Sequence, residues 1–287
     1  MYFGGGFLDG SSSVIYSGRP FVVIPTYNEA KNIGDAIHRI KKQLPEIDIL
    51  VVDDSSPDGT ADIVRVLADT YTNVEVIERQ AKLGLGSAYR LGFKIGLERG
   101  ATSLIEIDAD LSHEPESLPQ LIRAVEEEGA DLCIGSRYVR GGSSPGLKTY
   151  RLLLSRAGNL YAALSLGIGI KDATSGFRVY SSEILRKIDV ETVSAEGYAF
   201  QIEMAFRVQA CGGNVVEKPI IFRDRNFGTS KMSYRVVGEA IFLCTVWGIQ
   251  DRIATISGNR DSYIHYHKEG SASVLKSIVL SARRQVN

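Results

Sequence analysis

No stretch of this chain is both long and apolar enough to cross a bilayer. The best candidate, 240–249, is interrupted by Thr245 and Gly248 and closed off by Gln250, Asp251 and Arg252, well short of the roughly 20 apolar residues a spanning helix needs. Residues 1–18 are rich in Gly and Ser and lack the basic cluster and sustained apolar core of an export signal. The chain is therefore expected to be cytoplasmic, with no membrane anchor of its own. Cysteine is scarce: Cys133, Cys211 and Cys244 stand far apart in no C-x-x-C or zinc spacing, and are expected to be buried, reduced thiols. Histidine is scarce too. The four present form no metal-binding pair and no Ser/His/Asp or Cys/His set; His38 falls mid-helix, His265 and His267 lie in a polar tail, and His113 follows an acidic motif where capping would explain it. A net charge of −1 excludes a nucleic-acid binder that works by overall basicity. The Walker spacing is absent, and Gly84-x-Gly86 has Tyr89 where a dinucleotide fingerprint needs its third glycine, which excludes P-loop and Rossmann chemistry.

What is present is alternation. Short β-rich apolar runs at 21–24, 47–52, 74–78 and 103–107 are separated by segments with helical spacing at 30–44, 60–70 and 86–99, and the series continues with a helix at 115–128 and a strand at 131–135. Strand and helix in turn predict an α/β fold, a mostly parallel central sheet with helices on both faces. Ligands of such sheets bind beyond the carboxyl ends of the strands, which directs attention to 26–29, 53–59 and 108–115.

Two acidic motifs lie there. Asp108 and Asp110 alternate across Ala109 just after a buried strand, so their oxygens can converge on one hard cation such as Mg2+ or Mn2+. Asp is also a common loop starter and helix cap, and Glu106, one alternation earlier, either joins them or is structural. The segment Val51-Val52-Asp53-Asp54 ends a strand, with carboxylates that can accept from ribose hydroxyls or a base N–H. Asp58, Gly59 and Thr60 read as turn and helix cap.

Charge is unevenly spread. Residues 132–171 contain no Asp or Glu but carry Arg137, Arg140, Lys148, Arg151, Arg156 and Lys171, with Leu152, Leu153, Leu154, Leu160 and Leu164 among them. A solvated face explains a charge run alone; basic groups among leucines also suit an acidic lipid head at a membrane surface. A second basic stretch, 218–235, holds Arg223, Arg225, Lys231 and Arg235 against Asp224.

The ordered set Pro25-Thr26-Tyr27-Asn28-Glu29, Asp53-Asp54 through Thr60, Lys82 through Gly86, Asp108-Ala109-Asp110 through Pro115, Gly135-Ser136-Arg137-Tyr138, Ser175-Gly176-Phe177-Arg178 and Phe227 through Lys231 resembles the polyprenol (dolichol) phosphate mannose synthases of glycosyltransferase family 2, over about 21–252. The resemblance implies a GT-A catalytic domain at 19–235, flanked by a flexible segment at 1–18, a membrane-proximal amphipathic helix at 236–252 and a polar tail at 253–287. It implies that Pro25, Tyr27, Glu29 and Asp53 hold the guanosine part of GDP-mannose, that Val51 and Lys82 also belong to the donor site, and that Asp108, Ala109 and Asp110 meet the metal and donor diphosphate. Arg225 and Lys231 would clamp the diphosphate, and Arg137 and Arg151 would receive the acceptor phosphate. The family often has Gln where Ser112 stands, so a third metal ligand there would be a hydroxyl. Glu203, on a helix expected at 200–208, matches a general-base position of other family 2 enzymes, with a structural or orienting role the favoured reading. The implied partners are a polyprenyl phosphate, the membrane surface on its cytosolic face and an integral-membrane anchoring protein, with no nucleic acid. The alternatives are another donor such as UDP-glucose, or a non-catalytic lipid-phosphate or nucleotide binder.

Overall fold

The computed structural model describes residues 18–224 and 234–256. Arg225, Lys231, residues 1–17 and the tail from 257 lie outside the described residues. Four strands, β1 (Pro20–Thr26), β2 (Asp48–Asp53), β3 (Val74–Glu78) and β4 (Ser103–Glu106), alternate with helices α1 (Ile33–Gln43), α2 (Thr60–Thr70) and α3 (Leu85–Glu98). After α4 (Leu118–Glu126) the chain forms β5 (Leu132–Ser136), α5 (Thr149–Leu166), β6 (Arg178–Ser181), α6 (Ser182–Lys187), α7 (Gly197–Ala210), β7 (Val215–Pro219) and α8 (Tyr234–Ile256). One seven-stranded sheet results, in the order β3-β2-β1-β4-β6-β5-β7. It is parallel except for β6, which runs antiparallel between β4 and β5.

Strand alternation divides the core into two layers. Val22, Ile24, Ile49, Val51, Ile105 and Ile107 face α1, α2 and α4, while Phe21, Val23, Leu50, Val52 and Leu104 face α3, α5, α7 and α8. Both faces are covered, which is why these strands read as unbroken apolar runs. Helix α1 begins at Ile33 rather than at residue 30, because the Glu29 carbonyl accepts from the backbone N–H of both Asn32 and Ile33 in a turn that precedes it. Helix α8 runs past Asp251 and Arg252, the residues that looked like its end, since Arg252 donates to the Leu164 carbonyl of α5.

Two glycines permit close packing. A Cβ on Gly248 would collide with the Ser165 carbonyl, so α8 lies directly against the backbone of α5. A Cβ on Gly92 in α3 would overlap the Val23 side chain of β1. Gly92→Ala is expected to lower stability, because overpacking at about 1–3 kcal/mol outweighs a helix-propensity gain of about 1 kcal/mol. Thermal unfolding checks this, and an unchanged or raised melting temperature would show that α3 can move off β1.

Candidate active site

The carboxyl ends of β1, β2 and β4 open onto one edge of the sheet. The β1 turn is tied to the β2 turn by side-chain bonds: Thr26 donates to Asp53 Oδ1 at 2.7 Å, Ser56 accepts from the Asn28 N–H, Thr60 from the Glu29 N–H and Asp58 from the Ala30 N–H. Asp53 is wholly buried. Its Oδ1 accepts from Thr26 and the Ser56 hydroxyl, and its Oδ2 from the Ser56 N–H at 2.7 Å. Only Oδ2 keeps a lone pair for a ligand. Glu29 accepts from the Asn32 amide at 2.9 Å, and Pro25 and Tyr27 are half-buried at the opening.

Lys82 reaches this corner from the other side, its Nζ 3.9 Å from the Tyr27 ring centroid. Its loop is held at two points. Asp54 accepts from the N–H groups of Leu83 and Gly84 and pairs with Arg79, while Glu196 accepts from the N–H groups of Gly86 at 2.7 Å and Ser87 at 3.1 Å, closing the α3 N-terminus. Glu196 carried no signal in the sequence, for it lies over a hundred residues from the loop it holds.

Two expected donor contacts do not occur through side chains. Val51 sits in the middle of β2, paired with Ile24 and Val76 and buried in the α1 layer; strand alternation turns it inward. Ala109 buries its methyl in the same layer, leaving only its backbone toward the opening.

Asp108 and Asp110 stand where β4 ends, the first half-buried and the second 4 % exposed. Tyr89 donates to Asp108 at 3.4 Å, and Asp110 accepts from the Ser112 N–H at 3.0 Å across Leu111, whose φ is 59°. The Ser112 hydroxyl is buried with no hydrogen-bond partner. Among the described residues no three His, Cys, Asp or Glu side chains form a metal cluster, so a cation here would take two carboxylates and that orphan hydroxyl, an all-oxygen set suited to a hard divalent ion. His113 packs its ring between Phe177 and Phe222 and bridges to the latter's backbone. With the Arg223 N–H bonded to the Ser112 carbonyl, this pins the chain leaving β7 beside Asp110, just ahead of Arg225.

Two ionisable side chains lie buried at the end of β4 beneath the aspartates. Glu106 of β4 is in register with Arg178 of β6, and both are wholly buried. Arg178 donates to the carbonyls of Ser175, Gln201 and Ala173 and to the Tyr180 hydroxyl. Burial pushes the Glu106 carboxyl up to about 7, against the pull of Arg178 and Gln201 and with a further push from Asp108.

Arg137 follows β5. Its Nε and Nη2 donate to the two oxygens of Asp172 at 2.7 and 2.6 Å, its backbone N–H to the same carboxylate, and Nη2 also to Thr174. Burial alone would lower this guanidinium's pKa; the Asp172 carboxylate more than reverses that. Arg151, half-buried on α5, lies 3.6 Å from Asp224. The structure therefore brings Arg137 to the site already carrying a carboxylate partner. Glu203 accepts from the Ala195 N–H and pairs with Arg207 at 2.6 Å, 2 % exposed. It braces α7 rather than facing the opening.

The family model for glycosyl transferase family 2 matches residues 21–189. The chain belongs to glycosyltransferase family 2. Its curated relatives include an undecaprenyl-phosphate mannosyltransferase of Micrococcus luteus, 46 % identical over 82 % of this chain and 96 % of that one. A polyprenol monophosphomannose synthase of Mycolicibacterium smegmatis is 46 % identical over 84 % of this chain and 91 % of its own length. Among solved structures, the transferase is similar to glucosyl-3-phosphoglycerate synthase of Mycobacterium tuberculosis in complex with Mn2+ and UDP-glucose, with a TM-score of 0.57 at 20 % identity, covering 80 % of this chain and 78 % of that one. It is also similar to mannosyl-3-phosphoglycerate synthase of Rubrobacter xylanophilus, with a TM-score of 0.56 at 20 % identity, covering 84 % and 75 %. These likenesses establish the GT-A fold of this family 2 transferase.

The Glu106 carboxyl sets a pH dependence. Its folded value near 7 lies above its ordinary 4.5, so folding takes up a proton between the two, and the stabilisation is full below about pH 4.5 and lost as pH rises through 7. In chelator-treated protein the melting temperature should fall between pH 5.5 and 8. Glu106→Gln should flatten that slope; an unchanged slope would mean that Glu106 is ionised throughout.

Proposed function

We propose that this enzyme transfers mannose from GDP-mannose to a polyprenyl monophosphate, with inversion at the anomeric carbon, on the cytosolic face of a membrane. The observation that carries this reading is the 46 % identity, over nearly their whole length, to two relatives named for mannose transfer to polyprenyl phosphates. In this reading Tyr27, Glu29, Asp53 and Lys82, with Pro25, surround the guanosine. Asp108, Asp110 and the Ser112 hydroxyl would hold Mg2+ or Mn2+, which when bound offsets charge on the departing diphosphate. Arg225 and Lys231 would supply further positive charge to that group.

The chemistry needs little else from the protein. A phosphate monoester, with a second pKa of about 6, is largely dianionic at neutral pH, so its oxygen attacks without a base to remove a proton. The oxygen bonds to the anomeric carbon, the bond from that carbon to GDP breaks, and GDP leaves with the electron pair. An α-linked donor thus gives a β-mannosyl phosphate. Glu203, held by Arg207 and Ala195, has no part in that step.

Membrane contact is proposed for α5 and α8. Leu153, Leu160 and Leu164 of α5 are each at least 60 % exposed, and Ile241, Phe242, Ile249 and Ile253 of α8 are exposed as well. No helix among the described residues is long and apolar enough to cross a membrane. A paired apolar face of this kind suits a helix lying in the interface, aided by an integral-membrane partner.

Purified protein, labelled GDP-mannose, divalent metal and a short polyprenyl phosphate test the reaction directly. Excess chelator and Asp110→Ala should each remove transfer, and Arg137→Ala should raise the acceptor KM more than the donor KM. Equal or better use of UDP-glucose would overturn the donor assignment. For the membrane face, Leu164→Glu with Ile253→Glu, at two of the most exposed apolar positions of α5 and α8, should cut co-sedimentation with acceptor-containing vesicles while leaving transfer to a soluble acceptor intact. Undiminished sedimentation would move the contact elsewhere.

A further inference from the structure

The acceptor in the proposed reaction is a dianion, and the cations beside it can be compared one by one. Arg137 is matched by Asp172, which takes its Nε and Nη2 and is itself wholly buried. Arg151 has Asp224 at 3.6 Å. Arg156 is different: among the described residues no carboxylate lies within ion-pair distance of it, and its guanidinium rests over the Tyr138 ring at 5.5 Å. The same ring carries Arg137 at 5.1 Å. Tyr138 is fixed in turn, its hydroxyl donating to Ser155 on α5 at 2.7 Å. One aromatic ring, bonded to α5, thus carries both a neutralised guanidinium and an unneutralised one.

We propose that Arg156 is a phosphate-binding residue of the acceptor site, supplying the positive charge that Arg137 has already shared with Asp172. This rests on the reading of the acceptor as a polyprenyl phosphate. Stacking on an aromatic face orients a guanidinium and leaves its N–H edge free for two oxygens of one phosphate. Its neighbours fit the rest of the ligand. Arg156 stands three residues after Leu153 and four before Leu160, on the exposed face of α5 where both leucines are 60 % exposed. A phosphate held at Arg156 therefore leaves its apolar chain lying along those leucines. Arg137 reads the phosphate from the protein side, 10 % exposed, and Arg156 from the lipid side.

The test uses the full chain and a short, water-soluble polyprenyl phosphate without any bilayer. Arg156→Ala is expected to raise the acceptor KM about tenfold, the loss of one charge-assisted contact, with the donor KM unchanged and Arg156→Lys recovering part of the loss. In a second arm, binding to anionic phospholipid vesicles lacking the acceptor is measured for the same variants. An unchanged acceptor KM in solution, with weakened vesicle binding, would make Arg156 a contact to bulk phospholipid and overturn the assignment. Failure of the unaltered enzyme to glycosylate the phosphate would instead overturn the acceptor reading on which it rests.

Discussion

Arg178 is the charge around which this molecule closes. A guanidinium with no exposed surface is tolerable only when its donors are met, and here they reach Ser175, Ala173, Gln201 and Tyr180, opposite the Glu106 carboxylate across the strand pair. Those acceptors belong to the loop before β6, to β6 itself and to α7. β6 lies between β4 and β5, antiparallel to both. One buried ion thereby ties the loop before β6, β6 and α7 together at the strand that pairs with β4.

The same logic explains how positive charge is distributed at the acceptor side. The interior accepts Arg137 because Asp172 accompanies it, so burial and neutralisation come together. Arg156 is exposed and rests on an aromatic ring, where desolvation is partial and, among the described residues, no carboxylate competes. The Tyr138 ring carries both kinds of arginine, the neutralised Arg137 and the unneutralised Arg156.

Legibility from sequence followed the range of the interaction. The first four strands and three helices were readable because their signal is local: apolar runs, helical periods and turn residues within a short window. Asp108 and Asp110 were readable because strand ends in an open α/β sheet face one edge. Motif position points Val51 and Ala109 toward the donor, but strand alternation and core packing turn their side chains inward, as the two-residue period of a strand requires. The acid-free interval 132–171 stops one residue short of the carboxylate that neutralises Arg137. Counting charge along the chain therefore overstated what is free in space. Glu196 and the strand β6 left no local trace, since each is defined by a partner many residues away.

Helices α5 and α8 join these threads. Gly248 lets α8 touch the backbone of α5, Tyr161 and Thr245 share a hydrogen bond at 2.6 Å, and Arg252 reaches the Leu164 carbonyl. Trp247, Leu243 and Cys244 sink into the core beneath. The pair is therefore packed against the core on its inner side, yet its outer side presents leucine, isoleucine and phenylalanine to solvent. Flexibility cannot explain that exposure, because the inner faces of the same helices are tightly packed. An apolar outer surface on a rigid support is what a lipid-facing platform requires. Since Tyr138 is bonded to α5 through Ser155, a membrane contact made by α5 would also set the height of Arg137 above the lipid heads. The proposed membrane contact and the proposed phosphate site would thus form one mechanical unit, with α5 as the element common to both.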